Sequence, residues 1–175
     1  MTALEGNNQS APAVLTASRL VLHFLIILNW FYGAAILILL FASLVSGDQI
    51  MSALDAPEPL FRGMQAVALL GLFTIPLHYI ILRRLLEMVE SVRAHQPFIG
   101  QNAIRLQTIA WALLAMQCLS VVIGGIAKAV STPKYPFNVD AGFSTSGWLA
   151  VILLFVLARV FGEGARMQEE LEGTV

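Results

Sequence analysis

The feature that most constrains this chain is a set of four long apolar runs separated by short polar segments. The runs cover residues 20–45, 64–82, 106–127 and 143–161. Each approaches or exceeds the ~20 residues that a helix rising ~1.5 Å per residue needs to cross ~30 Å of hydrocarbon. The runs are far too long for barrel strands, and backbone amides in lipid need internal partners. Each run is therefore predicted to be a transmembrane α-helix.

The composition agrees with a chain that is dissolved in lipid. It is 58% hydrophobic and 12% charged, whereas soluble domains average about 25% charged residues. The net charge of −1 provides no basic face, so we expect no direct contact with nucleic acid. Cys118 is the single cysteine, which excludes an intramolecular disulfide and a cysteine-based zinc site.

The distribution of Lys and Arg predicts the orientation, because basic residues concentrate in cytoplasmic segments. With the N-terminus inside, seven basic residues lie on the cytoplasmic side and three on the other. The cytoplasmic set is Arg19, Arg83, Arg84, Arg93, Arg105, Arg159 and Arg166. We therefore predict an all-α, integral membrane four-helix bundle with both termini in the cytoplasm (N-in/C-in). Residues 1–17 are expected to form a flexible cytoplasmic tail, and residues 18–172 a single transmembrane domain.

Helices 2 and 4 are predicted to extend beyond the membrane into the cytoplasm. After the second apolar run, an apolar stripe continues at helical spacing to Val92, and polar residues that include Glu87 and Ser91 occupy the other side. The fourth helix continues through charges that alternate in sign. The stripe needs an apolar partner, so we expect the two extensions to pack together and bring Leu86 near Met167. We also expect Ser18 to cap the first helix and Asn102 or Gln101 to cap the third.

The sequence predicts no enzymatic activity, since it contains no Walker loop, Rossmann fingerprint, HExxH or GxSxG. His23 and His78 each lie five residues from the predicted cytoplasmic boundary of their helix. Two histidines at equal depth on adjacent helices are able to ligate a b-type haem. The plainer interpretation is that each imidazole bonds a neighbouring carbonyl or hydroxyl group, and no cofactor is then required.

A few polar side chains inside the runs suggest contacts between helices. They are Asn29, Gln107, Gln117 and Ser120. Interhelical hydrogen bonds of this kind are common in membrane proteins. A polar transport path is the alternative interpretation, although the runs lack the acidic residue that usually binds a proton or sodium ion.

Two polar motifs outside the runs resemble those of a known family. Pro97-Phe98 followed by Asn102, Arg105 and Leu106 resembles a "PF…N…RLR" segment, and residues 160–170 resemble a "VFxEGxxLxxE" ending. The family is domain of unknown function 2975, and the resemblance covers about residues 15–175. It implies a small four-helix bacterial membrane protein with no assigned activity, often encoded beside a small helix-turn-helix regulator.

This resemblance leads to the main functional hypothesis: a non-enzymatic regulatory anchor or scaffold that docks a cytoplasmic helix-turn-helix partner. Arg105, Glu163 and Arg166 would set the specificity of docking, and the apolar stripe with Leu86 and Met167 would supply affinity. The first alternative is an accessory subunit of a larger membrane complex that binds haem b through His23 and His78. The second is a small-molecule transporter.

Overall fold

The computed structural model describes residues 6–53, 55–94 and 100–172, and these residues form five helices. They are α1 (Gly6–Val45), α2 (Gly47–Ala53), α3 (Glu58–Arg93), α4 (Gly100–Val130) and α5 (Thr145–Glu172). No strand occurs in the described part of the chain. The prediction of an all-α fold is confirmed.

Four helices, α1, α3, α4 and α5, are long and apolar enough to cross a membrane. They correspond in order to the four apolar runs and indicate a multi-pass membrane protein. The 36 residues of α3 measure about 54 Å at 1.5 Å per residue, well beyond the ~30 Å of a hydrocarbon core. Both α3 and α5 continue as helices past the end of their apolar runs, as predicted.

The first long helix starts earlier than the sequence indicates. It begins at Gly6, so Ser18 lies inside α1 rather than at its N-cap. The Ser18 hydroxyl donates to the carbonyl of Val14 at 2.9 Å, a bond that a helix-interior serine makes. The flexibility expected of residues 1–17 stays a prediction.

The long helices are arranged in a row in the order of the chain. Broad contacts join α1 to α3, α3 to α4, and α4 to α5, and no such contact joins the first helix of the row to the last in the described residues. The arrangement is therefore more open than the bundle that the sequence predicts. Apolar side chains on α1 remain strongly exposed, including Phe31 at 72% and Leu39 at 69%. Exposed apolar surface on this scale is costly in water and normal against lipid.

The apolar stripe of α3 packs on a different helix from the one expected. Leu85, Val89 and Val92 line a groove with Val14 and other residues of α1. The helices that contact α3 broadly are α1 and α4, not α5. The predicted packing of the two extensions against each other is therefore wrong. Helical spacing identifies which face of a helix is apolar. It does not identify which of the neighbouring helices covers that face.

The segment between α4 and α5 folds back tightly on α4. A Cβ atom added to Gly124 would lie 2.6 Å from the carbonyl oxygen of Ala141. Ser120 Oγ donates to the Gly142 carbonyl and accepts from its N–H, at 3.2 and 3.0 Å. Gly142 has a φ of 139°, which only glycine adopts without strain. These contacts fix the segment against the helix.

This close approach predicts different outcomes for two adjacent glycines. In Gly124→Ala the new methyl group meets backbone atoms, so we expect a loss of about 1–3 kcal/mol of stability. In Gly125→Ala the added Cβ meets nothing within 4 Å, and replacing a helix-interior glycine should add about 0.5–1 kcal/mol. Thermal unfolding of both variants in one detergent measures the difference. Equal melting temperatures would contradict the close approach.

Candidate functional site

The candidate site lies at what we call the arginine end, the end of the row where α3 ends, α4 begins and α5 ends. Seven of the ten basic residues belong to this end by sequence position. The opposite end, where α2 and residues 131–144 lie, is the loop end. The predicted docking residues Arg105, Glu163 and Arg166 are all at the arginine end.

Glu87 of α3 is the centre of an ion-pair cluster. Its carboxylate lies 2.8 Å from Arg84, 3.3 Å from Arg105 and 3.4 Å from Arg83. The Arg105 side chain is 17% exposed and that of Glu87 is 25% exposed, so this interhelical pair is the least exposed ion pair in the described residues. A second bond runs from Arg105 to the carbonyl of Glu87 at 3.3 Å. Arg105 therefore connects the start of α4 to the end of α3.

Asn102 forms the other half of this junction. Its amide donates to Ser91 Oγ at 2.7 Å, and its carbonyl accepts from Arg105 at 2.8 Å. Ser91 in turn donates to the carbonyl of Met88 at 2.7 Å. Asn102 is 1% exposed and Ser91 is 9% exposed, so these polar groups are paired where water is largely excluded. A satisfied buried network of this kind fixes one relative position of two helices.

The junction corrects one expectation from the sequence. Asn102 belongs to the helix body and reaches across to α3, so it does not cap α4. Arg105 pairs with Glu87, whereas Glu163 lies 3.2 Å from Arg166 of its own helix. The sequence predicts a polar face that includes Glu87 and Ser91 but does not indicate what either residue contacts. The sequence feature that could have predicted their partners is the pair Asn102 and Arg105, two polar residues one turn apart at the start of a helix.

We predict that Asn102→Ala lowers stability by about 1–3 kcal/mol, because removing a buried amide leaves its partners unpaired. The loss should be visible as a lower midpoint of thermal unfolding in detergent. Gln107→Ala is the matched control, since Gln107 is exposed on the same helix. If both variants unfold at the wild-type temperature, the buried network does not stabilise the α3–α4 junction.

A separate cleft of about 420 Å³ lies between α4 and α5. Its polar lining consists of Gln107, Arg159, Glu163 and Arg166. Its apolar lining includes Ile104 and Phe155. The Trp111 and Phe155 rings meet edge to face at 5.2 Å and join the two helices farther along. The cleft thus brings Glu163 and Arg166 together but excludes Arg105.

The apolar docking residues lie apart from each other in the fold. Met167 is 59% exposed on α5, and Leu86 is half-buried on α3. Because α3 and α5 have no broad contact, these two residues do not belong to one helix–helix interface. Their role in docking stays a prediction.

The two histidines are exposed and bonded within their own helices. His23 Nδ1 donates to the Arg19 carbonyl and His78 Nδ1 to the Thr74 carbonyl, both at 2.9 Å. The Trp30 and Tyr79 rings are 5.9 Å apart, so His78 lies near the level of Trp30. His23 precedes Trp30 by seven residues, about 10 Å along the helix axis. The imidazoles are offset rather than level, and haem ligation by this pair stays a prediction.

The remaining polar residues of the runs serve as links between segments. Asn29 donates to the Ile75 carbonyl at 3.1 Å and joins α1 to α3, as predicted. Gln117 donates to the Ser144 carbonyl at 3.3 Å. Together with Ser120 it borders a cavity of about 480 Å³ at the loop end, between α1, α3, α4 and the folded-back segment. A transport role for this cavity stays a prediction.

Comparison with known proteins identifies the family. A family model described as "Protein of unknown function (DUF2975)" matches residues 39–175, and the chain belongs to this family. The match confirms the resemblance that the two polar motifs indicate. Pro97 and Phe98 of the first motif lie outside the described residues, whereas its Asn102 and Arg105 form the α3–α4 junction. Neither a curated protein nor a solved structure matches the chain.

Proposed function

We propose that this member of the DUF2975 family is a non-enzymatic regulatory anchor in a bacterial inner membrane. In this proposal the arginine end lies in the cytoplasm and docks a soluble regulator of the helix-turn-helix type. The family match supports the proposal indirectly, through the motif residues that gather at this end. The proposal rests on one observation, the exposed face at the end of α5.

That face combines charged and apolar groups. Val160, Glu163 and Met167 follow one another at i, i+3 and i+7, so they share one side of the helix. Val160 is 60% exposed, and the Glu163 side chain is 52% exposed. Arg166 flanks them and is 66% exposed. Protein-binding surfaces combine exposed apolar groups with charged ones in this way.

The charges on this face contribute little to the fold itself. Arg166 pairs with Glu163 at 3.2 Å and with Glu170 at 3.4 Å, and all three side chains are more than half exposed. Exposed ion pairs of this kind are worth about 0–1 kcal/mol. Arg105 differs, because it is engaged in the α3–α4 junction and would support docking by positioning α4. Glu163 and Arg166 therefore provide the cleaner test of docking.

Docking in the cytoplasm requires the predicted orientation, with the arginine end inside. The seven-to-three distribution of basic residues supports it through the positive-inside rule. A reporter that works only in the cytoplasm, fused after Arg93, should be active. The same fusion point should give an inactive periplasmic reporter, and an active one would contradict the proposal.

The docking prediction is tested by charge reversal on α5. A photoreactive amino acid replaces Met167 in native membranes, and we expect it to crosslink a cytoplasmic protein that contains a helix-turn-helix domain. Glu163→Lys should abolish this crosslink, because it reverses the charge at the centre of the face. The variant should remain folded, since the Glu163–Arg166 pair is exposed.

The matched control is Glu58→Lys at the loop end. Glu58 forms a similarly exposed ion pair with Arg62 at 2.6 Å, one helical turn apart. This variant should leave the crosslink intact. Loss of the crosslink in both variants, a crosslink that survives Glu163→Lys, or the absence of any cytoplasmic partner would each contradict the docking proposal.

A further inference from the structure

The cleft between α4 and α5 contains a cation that has no partner among the described residues. This cation is Arg159, which lines the cleft and makes no hydrogen bond or ion pair with any of them. The nearest acidic residue along the helix, Glu163, is engaged by Arg166 at 3.2 Å. No described residue therefore compensates the charge of Arg159.

Most other arginines at this end have an acidic partner. Arg83, Arg84 and Arg105 share Glu87, Arg19 lies 3.9 Å from Glu90, and Arg166 contacts two glutamates. Arg93 is the other arginine of this end for which the described residues offer no partner, and it lies at the exposed end of α3. Arg159 differs from Arg93 because it lines a cleft together with the Gln107 side chain, which can donate to the same anion.

The position of the cleft along the helices determines which anion reaches it. Arg159 lies two residues before the end of the apolar run on α5, and Gln107 is the second residue of the run on α4. On both helices that line the cleft, the sequence therefore changes from apolar to polar at the same level. Phospholipid headgroups occupy this boundary in a bilayer, outside the ~30 Å of hydrocarbon.

We propose that this cleft binds the phosphate of an anionic phospholipid. The planar guanidinium of Arg159 donates to two phosphate oxygens, and the Gln107 amide provides a further donor. Phe155 lines the same cleft one turn deeper in the apolar run and offers apolar contact to an acyl chain. The helices approach closely at this level, since a Cβ added to Gly162 would lie 3.6 Å from Ala103.

The charge of the lining favours an anionic lipid over a zwitterionic one. Among the described residues, two arginines, Arg159 and Arg166, and one acidic residue, Glu163, line the cleft. The described lining therefore has one more positive charge than negative charges, and it repels the ammonium group of a zwitterionic headgroup. A lipid whose headgroup carries net negative charge matches it.

Native mass spectrometry of the full chain in detergent tests the proposal. The protein is titrated with phosphatidylglycerol or phosphatidylcholine of identical acyl chains. We expect the wild type to retain one phosphatidylglycerol in preference to phosphatidylcholine. Arg159→Gln should reduce this preference about fivefold, the effect of one basic residue near an anionic headgroup. Gln107→Glu, an exposed substitution that should not disturb folding, places a repelling carboxylate in the cleft and should reduce the preference as well.

Arg93→Gln is the matched control, because it removes an exposed arginine of the same end outside the cleft. It should leave the preference unchanged. An equal loss in Arg93→Gln and Arg159→Gln, or no preference in the wild type, would overturn the proposal. So would a preference that survives Gln107→Glu. Displacement of the lipid by inorganic phosphate would assign the cleft to a soluble anion instead. None of these measurements involves a docked protein, so the result is independent of the docking proposal.

Discussion

The constraint on which the structure depends is the cost of an unpaired backbone group in hydrocarbon. Each unsatisfied N–H or C=O costs several kcal/mol there, so a spanning segment has to be helical. In lipid the apolar surface gains nothing by turning inward, and α1 accordingly leaves Phe31 and Phe41 about two-thirds exposed or more. The helices of this chain must therefore be held together by something other than a hydrophobic core.

Specific polar contacts and close approaches supply that cohesion. Asn29 bonds the Ile75 carbonyl and Gln65 bonds the Ser43 carbonyl, so α1 and α3 are joined at two levels. Asn102 and Arg105 join α3 to α4 at the arginine end. At the other end of these two helices, a Cβ added to Gly63 would lie 2.7 Å from a Val130 methyl group. Small and polar residues at helix contacts are the pattern expected in a membrane.

The sequence predicts the helices well and their neighbours poorly, for a physical reason. The four apolar runs and the continuation of α3 and α5 beyond them follow from composition and spacing alone. The partner of a face depends on how the helices rotate and on their order in space. The stripe at Leu85 and Val89 thus packs on α1 rather than α5. Arg105 likewise selects Glu87, which is eighteen residues away in sequence, over Glu163. An ion pair between two helices produces no periodic pattern in the sequence, so one sequence alone does not predict it.

The same pairing pattern separates the two roles that we propose for the arginine end. The Glu87–Arg105 pair joins two helices, is partly buried and holds the fold. The Glu163–Arg166 pair lies within one turn, is exposed and can exchange partners at little cost. A soluble protein can compete for the second kind but not the first. Arg159 belongs to neither class, because no described residue pairs with it. In our proposal an anion from outside the chain pairs with it, and the boundary position of the cleft makes a lipid headgroup the nearest source.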